Sequence, residues 1–335
     1  MKRLAAGLAV CACLGPRTGA QEPTPLPTAN PIITSLAVFA GTQSGLWQSR
    51  NWGGTWEKRK GEELESTGAI HAILALGPRV FAGGDGGLWV SDDFGAKWTR
   101  AWSERAVFAI LTSRYPLADA TVLLGTPDGL YRSPDWGRTV GPLALPGVAV
   151  TRLEWPGPAL VAATAQGLLV SKDSGRTFKG PEKGLPPGAV RAMALSSYFA
   201  VDPVLFAAPD SGGVHHSADG GATWQPAGLE GRLVSDLYWL GPFLYAATDA
   251  GVWRTQDLGL NWVALGKGIQ AATTRLLFPL APDSGATIFV ASEAGVYRTL
   301  SGGFLWQPSG LAEEKVLTVA TFPPPQQFVG PKKKK

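Results

Sequence analysis

Ser217 to Trp224 reads SADGGATW, and the phrase returns six more times: SRNWGGTW from Ser49, SDDFGAKW from Ser91, SPDWGRTV from Ser133, SKDSGRTF from Ser171, TQDLGLNW from Thr255 and TLSGGFLW from Thr299. Successive copies begin 38 to 46 residues apart. A period of that length belongs to a propeller or a solenoid, not to a doubly wound or single-core domain. The phrase itself is turn chemistry. A Ser or Thr hydroxyl and a carboxylate two residues on can satisfy the N–H groups of a tight turn, the Gly two further on takes a positive φ, and the closing Trp, Phe or Val returns to the core. The carboxylate position holds Asp93, Asp135, Asp173, Asp219 and Asp257, with Asn51 and Ser301 as hydrogen-bonding substitutes.

Working outward, each copy follows an apolar strand, a Gly turn and an aromatic, as in Val38-Phe39-Ala40-Gly41 with Gly45-Leu46-Trp47. A further strand type precedes these, for example Ile70 to Leu76 and Val234 to Trp239. Short strands at even spacing predict four-stranded blades. The first repeat lacks an inner strand of its own, while Val316 to Thr321 follows the last copy with the right pattern. The expectation is an all-β, seven-bladed β-propeller over 32–322 whose C-terminal strand completes blade 1 and removes exposed sheet edges.

S-x-D-x-G-x-T-W resembles the Asp-box, or BNR, repeat of sialidases, sortilin-type receptors and exported bacterial propellers; the chain is also similar to the photosystem II assembly-factor family. The resemblance implies that the box is a structural turn between outer strands, away from the active face, so function must be argued from other residues.

The chain has 335 residues, 45% of them hydrophobic, with 43 Gly and 27 Pro. Lys2 and Arg3, the uncharged run Leu4 to Leu14 and a small-residue site ending at Ala20 predict an export signal over 1–20, and hence a periplasmic or extracellular protein. Cys11 and Cys13 lie in that run; either one is the acylated residue of a lipoprotein, or both are apolar filler in a cleaved signal. Residues 21–31 read as a Pro-rich spacer and 323–335 as a Pro- and Lys-rich disordered tail. The formal charge of +4 comes from the ends: Lys2, Arg3, Arg17 and Lys332 to Lys335 are seven of the 30 basic residues, leaving 23 against 26 acidic ones. No basic face for nucleic acid is implied.

Four constellations could carry chemistry. Neighbouring His215 and His216 point to opposite faces of a strand and cannot both ligate one ion, so no metal and no cofactor are expected. Arg152, Arg191, Asp236 and Arg275 fall on inner strands, where they form either an anion-accepting channel mouth or an internal ion-pair set. Asp85, Asp128, Asp210, Asp249 and Glu293 recur before Gly and make either a rim that attracts a basic partner or ordinary turns. Trp52, Phe94 and Trp136 occupy the same box position in three successive blades; either they form an exposed aromatic strip for a partner, or each folds back on its own outer strand.

Sialidases use an arginine cluster with a Tyr–Glu pair and an acid Asp. Here there is no Arg-Ile-Pro motif in the first blade, the repeats give seven blades where those enzymes have six, and Glu154 and Tyr238 fall on different blades. The preferred reading is a monomeric, non-catalytic exported scaffold or assembly factor that binds a protein or a cell-envelope component. The alternative is a glycan-binding or glycoside-hydrolysing propeller.

Overall fold

Twenty-seven strands and no helix make up the computed structural model, which describes residues 37–59, 64, 68–113, 119–155, 159–196, 199, 201–269, 271–278 and 287–321. The stretches expected to form an export signal, with Cys11 and Cys13, a spacer and a tail lie outside the described residues. The strands form seven sheets, six of four strands and one of three. In the three-stranded sheet (Val150–Glu154, Leu160–Thr164, Gly167–Ser171), a single bridge between Val170 and Lys179 stands in the outer position. Blades 2 to 7 run inner to outer in chain order, and blade 1 shows the expected closure: Val316–Thr321 pairs antiparallel with Val38–Thr42, putting Val38 opposite Thr321.

Second strands are buried along their whole length, as at Val38–Thr42, Val122–Thr126, Leu160–Thr164 and Ile288–Ser292. They read as continuous apolar runs because neighbouring blades cover both faces of each sheet. The hydrophobic core is accordingly divided into seven clusters, one at each blade–blade interface. Phe39 and Trp89 join blades 1 and 2, and Val38 and Phe289 join blades 7 and 1. The next-to-last residue of each second strand is small: Gly41, Gly83, Gly125, Ala163, Ala208, Ala247 and Ala291. At Gly41 a Cβ would stand 2.6 Å from the Ile70 carbonyl and 2.7 Å from Thr318 Cγ2, so the next blade's inner strand already occupies the space.

Inner strands share a second device. The ladder shifts register at their second residue, between Ile70 and Ala72, Val150 and Arg152, Val190 and Ala192, Val234 and Asp236, and Thr273 and Arg275. Such a bulge re-aims a side chain away from the alternation of the strand. This decides which polar residues reach the axis.

Candidate functional site

The box turns are built as their residue types dictate. In each copy the first hydroxyl accepts the N–H of the fifth residue, at distances from 2.7 Å in blade 3 to 3.2 Å in blades 6 and 7. In blade 5, Ser217 donates to Asp219 Oδ1 (2.8 Å), which also accepts the N–H groups of Ala222 (3.0 Å) and Thr223 (2.9 Å), while the Thr223 hydroxyl donates to Oδ2 (2.6 Å). Asn51 keeps the pattern by accepting the Thr55 N–H at 2.8 Å, and Ser301 keeps a looser one with Leu305 at 3.3 Å. The Thr223 hydroxyl and N–H hold the Asp219 pKa down at about 2; Thr255 and Asn261 hold that of Asp257 at about 2. The Thr177 N–H and hydroxyl depress Asp173 in the same way.

The box residue before the Gly also takes a positive φ in all seven copies: 57° at Trp52, 60° at Phe94, 63° at Trp136, 59° at Ser174, 77° at Gly220, 58° at Leu258 and 64° at Gly302. That backbone decides where the aromatic rings go. They are half-buried, not the largely exposed strip that their place at a turn tip suggests. Nor do they fold back on their own outer strands. Each reaches the preceding blade: Trp52 stacks on Phe289 (centroids 6.1 Å apart), and Trp136 stacks on Phe81 (6.2 Å) with the Arg79 guanidinium 5.0 Å from its ring. Phe94 packs into the blade 1–2 cluster, and its carbonyl accepts the Gln48 amide at 3.1 Å.

On the opposite side, where the Gly turns lie, the row of carboxylates is engaged. Asp85 meets His71 at 2.7 Å, Asp128 meets Arg105 at 2.7 Å, Asp210 meets Arg191, Asp249 meets Arg232 at 3.9 Å and Glu293 meets Lys315 at 2.7 Å. Each carboxylate ties its turn to the start of an inner strand, and the last pair bridges blades 7 and 1.

Arg191 therefore does not belong to the channel cluster. It sits on the bulge of its inner strand, and its side chain turns to the rim; only its carbonyl contributes, accepting Arg152 Nε at 3.2 Å. Arg152, Asp236 and Arg275, each just past its bulge, do converge. Asp236 Oδ1 lies 3.8 Å from Arg152 and 3.4 Å from Arg275, its Oδ2 accepts the Leu276 N–H at 2.8 Å, and Arg152 also donates to the Ser235 carbonyl at 2.9 Å. These residues line an axial cavity of about 250 Å³ together with Phe108, Glu154 and Tyr238.

Glu154 and Tyr238, from different blades, thus meet in one cavity. Tyr238 is stacked on Phe278 at 4.5 Å. The Glu154 carboxylate is open to channel water yet ringed by blades; that enclosure, with the Asp236 charge, pushes its pKa up to about 7. Burial likewise raises Asp236, to about 6, against the opposing pull of Arg152. His215 and His216 are partly buried, burial lowers both pKa values, and the His216 ring lies 5.0 Å from Phe206. Among the described residues no group of His, Cys, Asp and Glu is arranged to hold a metal ion.

The boxes also differ from one another at one outward position. At the sixth box position, Gly54, Ala96, Arg138, Arg176 and Ala222 give way to Leu260 and Phe304 in blades 6 and 7. Those two side chains are 83% and 82% exposed.

Against known proteins, the BNR-Asp box repeat family matches residues 88–100. No curated protein sequence matches. Among solved structures, the computationally designed Ika8 protein is similar at 17% identity and a TM-score of 0.59, over 84% of this chain and 86% of that one. YCF48 bound to D1 peptide is similar at 14% and 0.57, over 86% and 87%. An ancestral GH74 enzyme is similar at 17% and 0.59, over 81% of this chain and 40% of its own. At such identities the likeness is one of fold. The chain thus carries a BNR-Asp box repeat at residues 88–100 and folds as a seven-bladed β-propeller closed by its C-terminal strand.

Proposed function

We propose that the propeller is a non-catalytic scaffold that holds a protein partner at the cell envelope. The observation that carries this reading is the engagement of the axial arginines: Arg152 and Arg275 both meet Asp236, and Arg152 also donates to the Arg191 and Ser235 carbonyls, so they serve the ring and do not stand ready for a substrate anion. The similarity to YCF48, solved with a D1 peptide, supports peptide or protein binding as a use of this fold. The candidate surface is the box side of blades 1 to 3, where the partly exposed edges of Trp52, Phe94 and Trp136 are set between polar turn residues. A glycan-directed reading is favoured by one observation, the near-neutral Glu154 carboxylate beside Tyr238 in the axial cavity.

Photo-crosslinking residues at Arg50, Ala96 and Pro134, exposed positions of the three boxes, separate the two. The scaffold reading expects one dominant protein captured in cells and unaffected by Glu154→Gln. Loss of all protein crosslinks where a known complex still crosslinks, together with glycan retention abolished by Glu154→Gln, would replace it with the glycan reading.

A further inference from the structure

The box side of the propeller is divided by chemistry. In blades 2 to 4 the boxes carry charged residues besides the turn carboxylate: Asp92 and Lys97, Arg138, and Lys172 and Arg176. In blades 6 and 7 the same turns expose Leu258, Leu260, Val263, Leu300, Phe304 and Leu305, between 48% and 83% accessible. Apolar side chains this exposed, in two adjacent turns, form a patch that a folded chain does not keep without use.

The two blades that carry the patch touch on this side. Lys267 and Leu305 form a parallel bridge, and the Trp306 N–H and indole donate to the Lys267 and Leu265 carbonyls at 3.2 and 3.1 Å, so the chain after Val263 lies against the blade 7 box. The same side continues toward the place where the chain enters and leaves the fold. The blade 1 box contacts blade 7 through Arg298 and the Trp52 carbonyl (2.7 Å) and through Trp56 and the Ser309 carbonyl (2.6 Å). Ala37 and Thr321 stand at that same end of blade 1, joined by a 3.0 Å hydrogen bond beside Ser49.

Charge fits the same direction. The blade 1 and blade 7 boxes contain no acidic residue, and the blade 6 box has only Asp257, whose carboxylate is folded into its own turn by Thr255 and Asn261. Arg50 is exposed at the blade 1 tip. From Thr321 the sequence runs 11 residues to the start of Lys332 to Lys335, a stretch that spans at most about 36–40 Å. The apolar sector and a four-lysine run are thus within reach of one surface.

We propose that this sector, formed by the boxes of blades 6, 7 and 1, docks on an anionic lipid bilayer, with Leu260, Leu300 and Phe304 entering the boundary between headgroups and acyl chains while the basic residues attract the headgroups. The inference shares the blade 1 box with the protein-binding reading, but its apolar residues lie on blades 6 and 7, outside that reading's surface.

The test places an environment-sensitive NBD label at residue 304 (Phe304→Cys) or, as a control on the same side but in the charged sector, at residue 172 (Lys172→Cys), both in a full-length Cys11→Ser, Cys13→Ser background. The probe surfaces are vesicles of phosphatidylcholine with or without phosphatidylglycerol. The expected result is a blue-shifted, several-fold brighter emission at residue 304 on anionic vesicles, weaker on neutral ones, with residue 172 unchanged. No change at residue 304, whether or not the protein sediments with vesicles, would overturn the proposal, as would equal changes at both positions. A concentration-dependent change at residue 304 without vesicles would overturn it too and assign the patch to a second copy of the chain.

Discussion

A single box carboxylate does several jobs at once. Asp219 accepts one hydroxyl from before the turn and a second hydroxyl and two N–H groups from after it, and these bonds favour its ionised form. Because its folded pKa lies below that of the unfolded chain, its contribution is present above about pH 4 and is lost as the pH falls toward 2. Asp219→Ala is expected to cost about 1 kcal/mol near neutrality, the net worth of charge-assisted bonds after allowance for exposure. In urea titrations that gap should close between about pH 4 and pH 2. Glu154 works in the opposite sense. Its folded pKa is raised, so the ionised group costs stability above about pH 7, and the cost disappears toward pH 4 as the proton is taken up in both states. Glu154→Gln should therefore be more stable than the parent at pH 8, by about 1 kcal/mol once screening by channel water is allowed for, and equal to it near pH 4. An unchanged urea midpoint at pH 8 would show that the channel does not enclose this carboxylate.

At the scale of strands and turns, the small residue on each second strand sets the distance between blades. Gly83→Ala is expected to cost roughly 1–3 kcal/mol by overpacking, because its Cβ would lie 2.6 Å from Val107 Cγ1 and 3.0 Å from the Val107 carbonyl. Thermal melts compared with Gly141→Ala, where the added Cβ meets nothing and the backbone φ is not positive, separate this clash from the general loss of a glycine. The strands, boxes and closure were legible in the sequence because they rest on local patterning: alternation, turn residues and a period near 42. The site was less legible because its decisive features are not local. The bulge that sends Arg191 to Asp210 leaves no mark in an alignment of inner strands, and the meeting of Glu154 with Tyr238 needs the ring to be closed first. Trp52 and Trp136 were misplaced for a related reason, since the sequence gives their turn but not the neighbouring blade onto which a positive φ directs them.

For the whole molecule, stability is a property of the ring. Each core cluster is shared by two blades, so no blade has an interior of its own. Ending the chain at Glu314 removes the inner strand of blade 1 and bares the edge of Val38–Thr42, a strand with no exposed residue. The expected result in circular dichroism melts is loss of the cooperative transition, together with a gain in aggregation; a sharp transition near that of the full chain would mean that six blades close without it. The pairing of Val38 with Thr321 also has a mechanical meaning. Tension applied between the two ends would load the hydrogen bonds of that seam one after another, as a zipper opens, and blade 1 would yield at low force. Tension on a tether at one end, balanced by a load on another blade, would not separate Ala37 from Thr321, and the clasp would stay shut. A propeller held by a single terminus can therefore bear force that the same propeller, stretched between both termini, could not.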